Sequence, residues 1–203
     1  ITSAGNVIRG LVINRFSQYG IRITGSSAMS NTVSGNYIGT DANGTLDQGN
    51  ALDGILIDFG AQNNTIGGDE AGDRNVISGN NGNDGVGISG NSTISNTVSG
   101  NYIGTDANGT ADLGNKGYGV YIYDSAQNTI ERNVISGNVG GVSISGSSAM
   151  SNTVSGNTIG TNISGTAVLS NTLHGVYIDN GAQNNTVGGD TAGERNLISG
   201  NGQ

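Results

Sequence analysis

The sequence predicts an all-β solenoid: a coil of parallel sheets with three short strands in each rung and about six to seven rungs. Three observations lead there. The sixteen residues SNTVSGNYIGTDANGT run from Ser30 to Thr45 and recur unchanged from Ser95 to Thr110. Short apolar signatures return in a fixed order along the whole chain. The composition, with 33% hydrophobic residues, 4% aromatic and 38 glycines in 203 residues, is too poor in apolar side chains for a layered globular core, yet its 11% charge is low for a disordered chain. A narrow coil has little interior to fill, so an ordered repeat reconciles these values.

The first signature is Gly, apolar, variable, Ile: it begins at Gly20, Gly54, Gly85, Gly119, Gly141 and Gly175, at intervals of 34, 31, 34, 22 and 34 residues. The second is Asn, Thr, β-branched, at Asn31, Asn64, Asn96, Asn128, Asn152 and Asn185. The third is Asn, variable, Ile, at Asn36, Asn75, Asn101, Asn133, Asn157 and Asn196. Each places an apolar residue at every second position for three or four residues, which is the period of a strand, and no stretch carries a helical stripe longer than one turn. Ser, Gly, Asn and Asp link the signatures; these residues tolerate left-handed φ or bond their own backbone in turns. The shortest interval, Gly119 to Gly141, is the minimal coil, and the others carry insertions. The opening segment GNVIRGLVINRF is a less regular first rung.

Asn31 and Asn36 flank a tight corner through Ser34 and Gly35, and the spacing returns at Asn96/Asn101, Asn128/Asn133 and Asn152/Asn157. Stacked along a coil, these amides satisfy backbone groups that a sharp corner leaves unpaired. That role is structural rather than catalytic.

N-T-V-S-G-N-x-I beside G-V-x-I resembles the repeat of the pectate-lyase-like superfamily, over almost the whole chain. The resemblance implies a right-handed, single-stranded parallel β-helix. It does not select an activity, because that superfamily includes polysaccharide lyases, hydrolases, epimerases, phage tailspikes and non-enzymatic surface proteins. Lyases of this fold use an Arg or Lys base beside calcium-binding acids, which draws attention to Arg74, Arg132 and Arg195, each just before a ladder Asn. Their repetition at one corner argues for pairing with loop acids instead, since a base is needed once. The Asp-Asp and Gly-His-Gly patterns of polygalacturonases are missing, and His174 stands where other rungs carry Asp53, Asp84 or Tyr118, as a variable corner residue.

GTDANGT leaves the coil after the third strand at Gly39 to Thr45 and Gly104 to Thr110, with a diverged GTNISGT at Gly160 to Thr166. Protrusions from the same corner of alternate rungs should lie side by side. Asp41, Asn43, Thr45 and Asp47, like Asp106, Asn108, Thr110 and Asp112, follow the alternating oxygen pattern of calcium loops. Asp41, Asn43, Asp47, Asp106, Asn108 and Asp112 are therefore calcium candidates. The match is partial: no bidentate Glu follows, Asn162 and Val168 replace the acids in the third copy, and Asp-x-Asn-Gly is also a good turn, the reading preferred for these loops. Outward-facing Tyr37 and Tyr102 on the third strand, and Tyr121 and Tyr177 on the first, are candidates for stacking on sugar rings. A single outward Thr column on the second strand has a weak likeness to ice-binding solenoids.

Fifteen acids against seven Lys and Arg give a net charge of −8, which with no basic stripe excludes a nucleic-acid partner. Zero Cys excludes a disulfide framework and thiolate metal sites. No apolar run approaches the ~20 residues of a membrane span, and no signal peptide opens the chain. Copies such as GSSAMSNTVSGN at Gly25 and Gly146 point to lengthening by duplication of two-rung units.

The sequence thus predicts one β-helix domain over residues 1–203, a piece of a longer repeat protein that is secreted or on the cell surface. Its expected role is structural or adhesive, without catalysis and with no cofactor beyond the candidate calcium. The alternative is a polysaccharide-binding or lyase-like polysaccharide-modifying domain, and the third reading an ice-binding solenoid. Expected partners are a polysaccharide or cell-surface glycan, and further copies joined end to end through unpaired strand edges.

Overall fold

The computed structural model describes all residues, 1–203. Its strands form three parallel sheets. Sheet 1 holds the six Gly-initiated strands, from Ile21–Thr24 through Ile55–Asp58, Val86–Ser89, Tyr118–Tyr123 and Gly140–Ser145 to Val176–Asp179. Sheet 2 holds seven strands from Val7–Arg9 to Thr186–Val187, all but the first beginning with Thr. Sheet 3 holds the seven two-residue strands from Val12–Ile13 to Leu197–Ile198. Every strand lies beside its equivalent one rung later, the right-handed crossover of parallel sheets. The opening segment is a true rung: Ile8 pairs with Val33 and Ile13 with Ile38.

Register follows the sequence pattern because a one-residue slip would turn every apolar side chain outward. Ile23, Ile57, Ile88, Ile122 and Ile144 form one fully buried column of sheet 1, while Ile38, Ile77, Ile103, Ile135 and Ile159 form another in sheet 3. Between them, sheet 2 contributes Val33, Ile66, Val98, Ile130 and Val154.

Glycine is required where the third strand leaves for the protruding loop. Gly39, Gly104 and Gly160 have φ of +88°, +88° and +90°, and a Cβ there would collide with the carbonyls of Ser78, Ser136 and Ser199 in the next rung. The other insertions, GGDEAGDR and GGDTAGER, each close on one turn of 3-10 helix, at Ala71–Asp73 and Ala192–Glu194.

Both asparagine ladders are present, and the bonding is denser than a simple amide chain. Asn31 donates its backbone N–H and its side-chain amide to Asn64 Oδ1, both at 2.9 Å; Asn64 does the same to Asn96, and Asn96 to Asn128. A third ladder runs through Asn50, Asn80, Asn115, Asn138, Asn171 and Asn201 at the remaining corner. Its signal was a Gly-Asn pair ahead of four of the six sheet 1 strands, Gly49-Asn50, Gly79-Asn80, Gly114-Asn115 and Gly137-Asn138, with Gly200-Asn201 after the last of them.

Candidate functional site

The protruding loops lie side by side, as their spacing predicts. Each is closed by an antiparallel bridge, Thr40 to Asp47, Thr105 to Asp112 and Thr161 to Val168. The loops touch through Ala107 N–H to Gly44 O at 2.9 Å and Ile163 N–H to Gly109 O at 3.0 Å.

The candidate calcium ligands face backbone donors within their own loops. Asp41 Oδ1 accepts the N–H groups of Thr45 and Leu46 at 2.7 and 2.9 Å, and these bonds hold its carboxyl below the usual range. At Asp106 burial acts to raise the pKa, but the N–H groups of Thr110 and Ala111 and the Asn108 amide outweigh it, so the net direction is down. Asn162 Oδ1 fills the same place in the third loop, accepting from Thr166 and Ala167 at 2.9 and 3.2 Å. Asp47 and Asp112 accept from the N–H groups of Gly49 and Gly114. Asn43 donates toward Asp41, and Asn108 donates to Asp106 Oδ2 at 3.0 Å. In the third loop a neutral amide serves the equivalent donors.

The four candidate tyrosines fall on two faces. Tyr37 and Tyr102 lie on sheet 3 beneath the loops: a Cβ at Gly44 would stand 3.4 Å from the Tyr37 ring, and one at Gly109 would stand 3.2 Å from that of Tyr102. Only 7% of Tyr102 is exposed, and the Arg74 guanidinium covers its ring at 4.2 Å from the centroid. The corner arginines therefore differ in use. Arg132 pairs with Asp69 at 2.5 Å and Glu131 at 2.6 Å, whereas Arg74 stacks.

Tyr121 and Tyr177 belong to a larger group on the outer face of sheet 1. Tyr118 stacks on Tyr121 at 5.7 Å between ring centroids, Tyr123 follows at 6.1 Å from Tyr121, and His174 stacks on Tyr177 at 4.4 Å. Between these groups runs the strand Gly140–Ser145, its outward Ser143 and Ser145 buried; a Cβ at Gly140 would collide with the Tyr118 ring. Burial raises both the Tyr118 and the Tyr121 hydroxyl pKa, against bonds to Ser143 and Ser145.

Carboxylates edge the same face. Asp53 Oδ1 accepts the N–H of Asp84 at 3.3 Å, and Asp84 Oδ1 accepts that of Tyr118 at 2.6 Å, linking three rungs. Burial pushes Asp84 up to about 7 and Asp53 in the same direction. Asn180 bridges Ser145 Oγ at 2.9 Å and Asp179 Oδ2 at 3.0 Å, while Asp179 Oδ1 is shielded and has no partner. The sequence signals for this group were Tyr118 and His174 just before a Gly-initiated strand, and tyrosine at two outward positions of one strand, Tyr121 and Tyr123.

Three parallel sheets wound into one coil and locked by asparagine ladders define a right-handed parallel β-helix protein. The ladder amides build the scaffold, and the variable chemistry lies on its outer faces. The chain belongs to the NosD family, described as periplasmic copper-binding protein (NosD), which matches residues 1–159. No curated protein matches the chain.

Proposed function

We propose that the chain is a structural or adhesive coil of the cell envelope that works without catalysis. The observation that carries this reading is the equivalence of Asp41, Asp106 and Asn162: two acids and one neutral amide cap the same turn by the same bonds. Chemistry repeated by rung and committed to neighbouring backbone supports a scaffold, whereas a reaction centre needs one convergent set of groups. The envelope location rests on the family's periplasmic description. Placement at the cell surface extends it. The test is a turnover assay across neutral, acidic and amino polysaccharides, with and without calcium. No product release is expected, and cleavage that disappears in Arg132→Ala would overturn the reading in favour of a lyase.

Copper is left out of this proposal because the donors do not fit. Copper(I) favours Cys and Met sulfur and copper(II) imidazole with oxygen donors, and no three His, Cys, Asp or Glu side chains cluster in the structure. The chain has no Cys, one His and two Met, and its His174 lies outside the stretch that matches the family. Met29 and Met150 occupy equivalent corners but stand four rungs apart, roughly 19 Å at the spacing of neighbouring strands. They cannot share an ion.

A further inference from the structure

We propose that Asn81 is a site of spontaneous covalent modification, where ring closure by the Gly82 nitrogen expels the side-chain amide and the chain ages to aspartate and isoaspartate. This goes beyond the scaffold reading and does not depend on it.

The reaction needs only water. When glycine follows asparagine, no Cβ hinders the approach of the glycine nitrogen to the asparagine Cγ. That nitrogen gives its proton to solvent base and bonds to Cγ, while the side-chain nitrogen takes a proton from water and leaves as ammonia, closing a cyclic imide. Water then opens the imide at the side-chain carbonyl to give aspartate, or at the backbone carbonyl to give isoaspartate. Water enters as ammonia leaves, and nothing is oxidised. The nitrogen and Cγ must reach an attacking geometry, so a backbone N–H held by an acceptor, or an amide held by its neighbours, resists the reaction.

Five Asn-Gly pairs occur in the chain, and the fold guards four of them. In the protruding loops Gly44 N–H donates to Asp41 O at 3.0 Å and Gly109 N–H to Asp106 O at 2.9 Å, and both glycines are buried. Gly202 N–H donates to Asn171 O at 3.0 Å, and Asn201 is held in the third ladder. Gly181 N–H meets no backbone acceptor, but Ser145 Oγ and Asp179 Oδ2 hold the Asn180 amide at 2.9 and 3.0 Å. The same closure at Asp53-Gly54 and Asp84-Gly85 is guarded too, by bonds from Gly54 N–H to Asp84 O and from Gly85 N–H to Tyr118 O.

Asn81-Gly82 differs in every respect. Both residues are exposed, in a bend rather than a hydrogen-bonded turn, and Gly82 N–H meets no backbone acceptor. The ladder runs through the neighbouring Asn80, which leaves the Asn81 amide lying against Gly49, a residue with no side chain to hold it. The coil also requires glycine at this point, because a Cβ at Gly82 would collide with the Ala51 carbonyl of the rung before. The corner that demands the glycine thus creates the reactive pair.

The test is incubation of the full chain at pH 8, folded and in guanidinium, followed by peptide mapping with fragment spectra that separate Asn81 from Asn80 and Asn83 and aspartate from isoaspartate. In the folded protein Asn81 should convert about fivefold faster or more than Asn43 and Asn108, whose glycines must first break a backbone hydrogen bond. In guanidinium the five pairs should react at comparable rates, since the fold no longer distinguishes them. Asn81→Gln should remove the product at that position and leave the slow sites unchanged. Conversion led by any of the other four pairs in the folded protein, the same ranking of sites in both states, or an intact Asn81 over a period in which the denatured chain reacts would each overturn the proposal.

Discussion

Asn75 gives both its backbone N–H and its side-chain amide to the Oδ1 of Asn101, at 3.1 and 2.9 Å. Asn101 repeats the gesture toward Asn133 and also donates to the carbonyls of Ile66 and Ser99. One side chain thus joins three rungs at a corner from which water is excluded. Asn101→Ala should leave several buried groups unpaired and destabilise the fold by about 3 kcal/mol, since each orphaned group costs roughly 1–3 kcal/mol. Denaturant titration measures this, and a loss below the cost of one orphaned group would show that the corner takes in water.

The loop acids should behave as turn caps. Asp106→Asn should be nearly neutral at pH 7, because Asn162 already does the same work, whereas Asp106→Ala should cost about 1 kcal/mol or more. The lowered pKa of Asp106 means that its carboxylate stabilises the fold above the unfolded value and that this contribution is lost as pH falls through the folded value. Melting curves below pH 4 should show that loss in the parent and not in Asp106→Asn. Adding calcium should leave both melting temperatures in place, and a rise confined to the parent would restore a cation role for Asp41 and Asp106.

Asp84 has the opposite sign. Its folded pKa is raised to about 7 by burial, so the folded state holds its proton more tightly than the unfolded chain, and stability declines as pH rises from about 4 through 7. Asp84→Asn keeps an acceptor for the Tyr118 N–H and should gain stability over the parent at pH 8 but little at pH 4. Melting temperatures at the two pH values decide it; an equal change at both would mean that the carboxyl is not desolvated.

Copper should find no strong site. With Met29 and Met150 on distant rungs and a single His, dialysis against copper(I) or copper(II) followed by chelator competition should return the chain free of stoichiometric metal. One tightly held copper per chain, lost in His174→Ala, would contradict the donor argument.

The ladder chemistry also bears on end-to-end association. Asn185, Asn196 and Asn201 occupy the corners of the last rung, whereas the first rung has Asn6, Leu11 and Phe16. A head-to-tail junction between two copies would continue one ladder of three, although apolar residues such as Val12 and Ile198 are exposed at the two ends. Association should therefore be weak and appear only at high concentration in sedimentation. Leu11→Asn with Phe16→Asn should strengthen it by restoring acceptors, and no change in that double variant would exclude ladder pairing as the mode of contact.

Most of the fold was legible because its determinants are local. An apolar residue at every second position sets which face of a strand turns inward, and Asn-x-x-x-x-Asn around Ser-Gly sets two of the corners; the six rungs from Gly20 to Gly175 pair in the register those patterns require. The third ladder was equally written, but in two alternating spacings: Asn80, Asn138 and Asn201 follow the Asn of the third signature directly, five residues on, whereas Asn50, Asn115 and Asn171 follow it across the protruding loop, fourteen residues on.

The site was less legible, because the chemistry of a coil depends on neighbours one or two rungs away. Insertions place those neighbours at sequence distances that differ from rung to rung. Arg132 meets Asp69 across 63 residues, while Arg74, in an equivalent sequence position, meets the ring of Tyr102. Tyr37 and Tyr102 read as outward and are outward, yet loops that follow them in sequence fold back and cover them. By itself the sequence determined the period, the three sheets, the buried columns and the need for stacked amides. Only the tertiary structure decided which outward side chains remain open and which meet one another, because those relations are set by the winding of the coil and not by the alternation along any one strand.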